Sequence, residues 1–165
     1  MKALPTLLFL TAVFLFTGCE ESQNYRPLHK INGDWHIQRL RYVDRQTGKD
    51  STATPTGDHL IFNLCTKEMN KQPTVCEGSY QVEGEGFVFP LTYQVTSNET
   101  LYIQGKSVPA GVTAQYRRIE DVLAGGYDIV QLDDTHLSLV SEKECQVSPP
   151  GSCRYRVEID AVRLQ

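Results

Sequence analysis

The chain has 165 residues, 40% of them hydrophobic and 22% charged, with 16 basic side chains against 20 acidic ones. That length suits one domain with a real core and is small for two. A net charge of −4 argues against nucleic-acid binding, which needs a positive surface.

The chain opens on Lys2 and an apolar run from Leu4 to Phe16, closed by Thr17-Gly18-Cys19. A lone lysine, a run of that length and small residues before a cysteine make an export signal, too short for a spanning helix. An ordinary secretory signal and an uncleaved N-terminal span are the rival readings. The ending Leu15-Phe16-Thr17-Gly18-Cys19 resembles the bacterial lipobox, with Phe16 where that pattern prefers Leu. The resemblance implies a diacylglycerol thioether on Cys19, cleavage after Gly18 and acylation, as with palmitate, of the new amino terminus. A membrane is then the first partner, through the lipid anchor. Two or three chains give lasting anchorage, because each buried methylene contributes ~0.8 kcal/mol and one chain binds marginally.

The expected organisation is a signal peptide over residues 1–18, a lipidated start and polar tether over 19–30, and a folded domain over 31–165. Removing 18 of the 165 residues leaves 147, and losing Lys2 leaves 15 basic against 20 acidic side chains, a net charge of −5. Glu20-Glu21 resembles both the surface-export signals of Bacteroidota lipoproteins and the inner-membrane retention signals of other Gram-negatives.

From Ile31 onward helical periodicity is almost absent and alternation dominates. Phe89, Leu91, Tyr93 and Val95 share one face with Phe87. Tyr155, Val157, Ile159 and Ala161 oppose Arg154, Arg156, Glu158 and Asp160. Period two with one apolar and one charged face means a half-buried antiparallel strand. Turn signals such as Gln46-Thr47-Gly48, Glu83-Gly84-Glu85-Gly86 and Asp133-Asp134 separate the runs. Strands are expected near 34–43, 58–65, 76–83, 86–95, 99–104, 112–119, 127–132, 135–143 and 153–164, with one helical turn over 119–124 as the rival to the sixth. Eight or nine strands in sequential hairpins predict an all-β fold, an antiparallel up-and-down barrel or a sandwich.

Four cysteines remain in the exported part: Cys65, Cys76, Cys145 and Cys153. An even count in an exported chain reads as disulfides. Three connectivities are possible; the local pairs Cys65–Cys76 and Cys145–Cys153 each bracket a polar loop between predicted strands. No metal site is expected, since there is no C-x-x-C and the four histidines lack ligand spacing.

Ile31-Asn32-Gly33-Asp34-Trp35 opens the first long strand. A Gly-x-Trp there resembles the first motif of the lipocalin and wider calycin barrels, and the whole chain is similar to lipocalin-like lipoproteins of Bacteroidota. The resemblance implies an eight-stranded barrel in which Gly33 and Trp35 sit at one plugged end. A basic residue of the last strand, here Arg163, lies over the tryptophan ring. It implies a Gram-negative envelope protein, lipid-anchored to the outer membrane. The later lipocalin motifs, including Thr-Asp-Tyr, are missing.

An enzyme is not expected. There is no Gly-x-Ser-x-Gly, no His-Glu-x-x-His and no phosphate-cradling loop. Asp133-Asp134-Thr135-His136, and Glu83 with Glu85, read as turns whose carboxylates are capping or solvated. No cofactor is called for. Two functions remain. One is a module holding a small hydrophobic ligand inside the barrel, with Phe62, Tyr80, Phe89, Tyr93, Tyr127 and Tyr155 as candidate contacts and Leu60, Leu64, Leu101, Ile103 and Val157 between them. The other is a non-catalytic interaction or structural protein, with a packed barrel presenting disulfide-pinned loops to a protein partner. An open apolar cavity favours the first and a filled interior favours the second.

Overall fold

A computed structural model describes residues 25–53, 57–65, 75–84, 86, 88–96, 99–106, 114–144 and 154–164. Cys19, Cys145, Cys153 and Glu85 lie outside them. The elements are α1 (Tyr25–Ile31), β1 (Gly33–Asp44), β2 (Asp50–Ala53), β3 (His59–Phe62), β4 (Cys76–Gln81), β5 (Val88–Val95), β6 (Thr100–Gly105), α2 (Ala114–Leu123), β7 (Gly125–Leu132), β8 (His136–Glu144) and β9 (Arg154–Arg163). The sheet runs β2-β1-β3-β4-β5-β6-β7-β8-β9 and closes through β1–β9. Every neighbouring pair is antiparallel. The protein is therefore all-β: a closed eight-stranded antiparallel barrel with β2 added as a ninth strand along β1. Closure removes the exposed strand edges that an open sheet or sandwich would keep.

β1 is long enough to serve two neighbours. Its first residues pair with β3, Gly33 to Phe62 and His36 to His59. Its second half pairs with β2, Leu40 to Ala53 and Val43 to Asp50. Asp44 closes that hairpin by accepting the amides of Gln46 at 2.8 Å and Thr47 at 3.1 Å. The register against β9 slips between Ile37 and Arg39, which leaves Gln38 as an extra residue. A bulge reverses which parity faces inward. Trp35 and Ile37 point into the core before it, and Leu40 and Tyr42 pack against the core after it. β7 does the same at Val130, with Tyr127 and Ile129 inward before the slip and Leu132 after it.

Three expectations need correction. Residues 25–30 are helix α1 rather than tether, because Leu28 and Ile31 stand one turn apart and bury against the barrel. Pro27 falls in the first turn, where a missing N–H breaks no helical bond. The strand expected at 112–119 is replaced by α2, in which Ile119, Val122 and Leu123 make an apolar stripe at three- and four-residue spacing. Leu64 is 58% exposed, because β3 stops at Phe62 and the chain leaves the barrel wall.

One end of the barrel is plugged. Trp35 and Ile31 are fully buried there, and the Trp35 Nε1–H donates to the Ile31 carbonyl at 2.7 Å. Arg163 pairs opposite Trp35 across β1–β9, with its guanidinium 4.3 Å from the indole centroid. The interior above the plug is solid. Phe62, Phe89, Leu91, Tyr93, Leu101, Ile103, Leu139 and Val157 are all buried. Phe62 and Tyr93 meet edge to face at 4.8 Å, and the Tyr93 hydroxyl donates to the Asn63 carbonyl at 2.6 Å. A disulfide joins Cys65 to Cys76, tying the end of β3 to the start of β4.

Candidate functional site

At the end opposite the plug the packing opens into a cavity of about 210 Å³. β1 lines it with Ile37, Leu40 and Tyr42, and β9 with Ile159. Tyr80 and Val82 face it from the end of β4, and Asp58 from the turn before β3. The remaining wall is α2, through Ile119, Val122 and Leu123. β6 ends and β7 begins at this end of the barrel, so the connection between them brings α2 to the opening. The apolar stripe of α2 turns toward the barrel because the same three side chains pack on the core.

The last turn of α2 is fastened. A helix C-terminus leaves carbonyls without intrahelical partners, and two side chains meet them. Lys143 donates to the carbonyls of Val122, of Ala124 at 2.8 Å and of Asp121 at 3.4 Å. The Tyr127 hydroxyl also donates to the Val122 carbonyl. The ammonium lies 4.9 Å from the centre of the Tyr127 ring. Burial nevertheless pulls Lys143 down to about 8, with Asp121 opposing that shift. A cation at the negative end of a helix dipole is in a favourable place.

Asp58 is the polar centre of the cavity. It is 7% exposed, and its carboxylate accepts the Tyr80 hydroxyl and, at 3.1 Å, the Glu83 amide. Its carbonyl accepts the Ile37 amide at 2.8 Å, which stitches the loop to β1 where β1 has left β3. Gly57 beside it has a φ of +69°, and a Cβ there would overlap the Glu83 carboxylate, so Glu83 lies across the glycine. Burial, and then the hydrogen bond to Asp58, push the Tyr80 phenol far above its ordinary value. Burial pushes Tyr42 up to about 12. Both phenols are thus neutral donors throughout the physiological range.

Of the six aromatic candidates, Tyr80 lines the cavity. Phe62, Phe89, Tyr93 and Tyr127 are buried core, and Tyr155 is half-buried on β9 opposite Lys143. The physical reason is room: an eight-stranded interior is just wide enough for side chains, and four large rings fill it. Leu40 and Tyr42 were missed because the Gln38 bulge reverses β1 parity. Of the three α2 residues, Ile119 was expected in a strand over 112–119, while Val122 and Leu123 lay in the alternative helical turn over 119–124, which carried no lining assignment. The turn at Asp133 is a capping turn. Its carboxylate accepts the amides of Thr135 and His136, each at 2.8 Å, and the Gln131 side chain at 2.8 Å. Those bonds, Gln131 first, hold Asp133 well below the usual carboxylate range. Among the described residues, no three His, Cys, Asp or Glu side chains are placed to hold a metal.

No protein-family model, curated protein or solved structure matches the chain. The closed antiparallel barrel is consistent with a lipocalin-like fold.

Proposed function

We propose that this is a lipid-anchored, lipocalin-like binding module of a Gram-negative envelope, carried on Cys19 and holding one small apolar ligand at the unplugged end of its barrel. The observation that carries the reading is the cavity of about 210 Å³ between β1, β4, β9 and α2, apolar in its walls with a single cluster of polar groups. That is the chemistry of a small-molecule site: greasy walls with few oriented polar atoms. The filled half around Phe62 and Tyr93 favours the second reading, a non-catalytic barrel that offers a pinned loop such as 66–75 to a protein partner.

The test is native mass spectrometry of residues 20–165 made without acylation, before and after organic extraction, with thermal shifts against small apolar compounds. A co-purifying small molecule, or a melting rise that Leu40→Trp abolishes by filling the cavity, is expected. No bound species and no shift across the panel would leave the partner-presenting reading in its place.

A further inference from the structure

We propose that His36 and His59 form a metal site on the outer wall of the barrel, taking one divalent ion of the zinc–copper class through their Nε2 atoms. The two are 23 residues apart in sequence, so no spacing rule pairs them; the β1–β3 register sets them directly opposite each other. Trp35 and Ile37 of β1 and Leu60 of β3 turn inward and are buried. By alternation His36 and His59 share the water side. Both strands are paired on their other flank as well, His36 against Val162 and His59 against Gln81. The backbone therefore fixes the spacing before any ion arrives, as a site on strands requires.

The spacing suits the ion. Two imidazoles on one tetrahedral zinc, each nitrogen about 2.0–2.1 Å from the metal, have ring centres about 5 Å apart. Here the centres stand 5.3 Å apart. The ring planes, 14° from parallel, have only to turn about χ2, a broad torsion in histidine. The hydrogen bonds select the same nitrogens. The Asp34 carboxylate meets His59 Nδ1 at 2.9 Å, and the Gln38 amide meets His36 Nδ1 at 3.3 Å. Among the described residues, neither Nε2 has a hydrogen-bond partner. A carboxylate accepting Nδ1–H leaves the lone pair on Nε2 and makes the ring a better ligand, the usual outer partner of a metal-bound histidine. Gln38 does the same for His36 once its amide oxygen faces the ring. Two protein nitrogens leave the remaining positions to water. Imidazole donors favour zinc and copper over magnesium and calcium, which take oxygen.

The experiment is calorimetric titration of the mature lipidated protein in nanodiscs, blanked against empty nanodiscs, with zinc chloride and magnesium chloride. Zinc is expected to bind and magnesium to be silent. His36→Gln and His59→Gln are each expected to weaken zinc at least tenfold, and Asp34→Asn, which acts through His59, about tenfold. His136→Gln is expected to change nothing: it lies in the same row but is parted from His36 by Val162. Zinc affinity that survives the loss of either His36 or His59, that falls equally with His136→Gln, or that is absent from wild type overturns the site. Should a variant not fold, the imidazole proton signals of wild type decide. Zinc is expected to shift two histidine rings together, His36 and His59, and shifts that spare either one overturn the assignment.

Discussion

Arg163 holds three parts of the plugged end together with one guanidinium. Its central carbon lies over the Trp35 ring, 4.3 Å from the centroid, its Nη1 donates to the Asn32 carbonyl at 2.6 Å, and its Nη2 donates to the Lys30 carbonyl. Those carbonyls close α1, so a residue of the last strand caps the first helix. Gly33 makes the approach possible: its φ is +140°, and a Cβ would stand 2.7 Å from Arg163 Nη1. Arg163→Ala is expected to lower stability by about 2 kcal/mol, from the lost cation–π contact and the lost charged hydrogen bonds. Arg163→Lys is expected to recover less than half, because an ammonium is a point charge without a stacking plane. Urea unfolding at constant slope reads both, and a lysine variant as stable as wild type would refute the stacking account. This contact was legible in the sequence, since Gly33-x-Trp35 and a basic residue near the end of the last strand are fixed relative to one another once the barrel closes. Asp58 was not legible, because its burial depends on β1 leaving β3 and no local pattern marks that departure.

At the scale of elements, alternation located most of the barrel strands, because each keeps one face in the core and one in water. α1 escaped, and of α2 only a helical turn over 119–124 was named, as the alternative to a strand. Among the described residues α1 packs Leu28 and Ile31 on the core, and α2 packs Ile119, Val122 and Leu123, stripes too brief to stand out from a polar stretch. β2 escaped because Asp50-Ser51-Thr52-Ala53 has no apolar face; it is held by pairing to β1 and by Arg41 reaching Asp50 at 2.5 Å. The Cys65–Cys76 bond is an element-scale device of another kind. It closes the β3–β4 connection across a sequence separation of 11, and on the chain-entropy account such a loop contributes roughly 2.5–3 kcal/mol by restricting the unfolded chain. Replacing both cysteines by alanine is expected to cost about that much in chemical denaturation while the β-sheet circular dichroism is unchanged. A loss below about 1 kcal/mol would show that the native state gains nothing from the pinned loop.

Across the whole molecule, groups of three kinds shape stability against pH. On the acid side, hydrogen bonds hold carboxylates below their ordinary values: Thr47 for Asp44, Arg41 for Asp50, Gln131 for Asp133 and Arg45 for Glu142. A depressed carboxylate contributes above its unfolded pKa and loses that contribution as pH falls, so stability declines below about 4. Lys143 works in the opposite sense. Its folded value, about 8, lies below the ordinary 10.5, so the unfolded chain binds the extra proton between those values and stability rises with pH through that window. The buried phenols reverse the trend. Tyr42, Tyr80, Tyr93, Tyr127 and Tyr155 are all raised above 10.0, with burial the first cause in each. Their contribution is complete below 10 and is lost as pH climbs past it. The expected curve of unfolding free energy is flat near neutrality, rises from about pH 8, peaks between about 9 and 10, and falls beyond. Lys143→Met removes the rise and keeps the fall, because the ammonium with the depressed folded value is gone while the buried phenols remain. Urea unfolding from pH 5 to 11 on both proteins measures this, and a wild-type curve without the rise would show that the α2 carbonyls offset the burial of the ammonium in full.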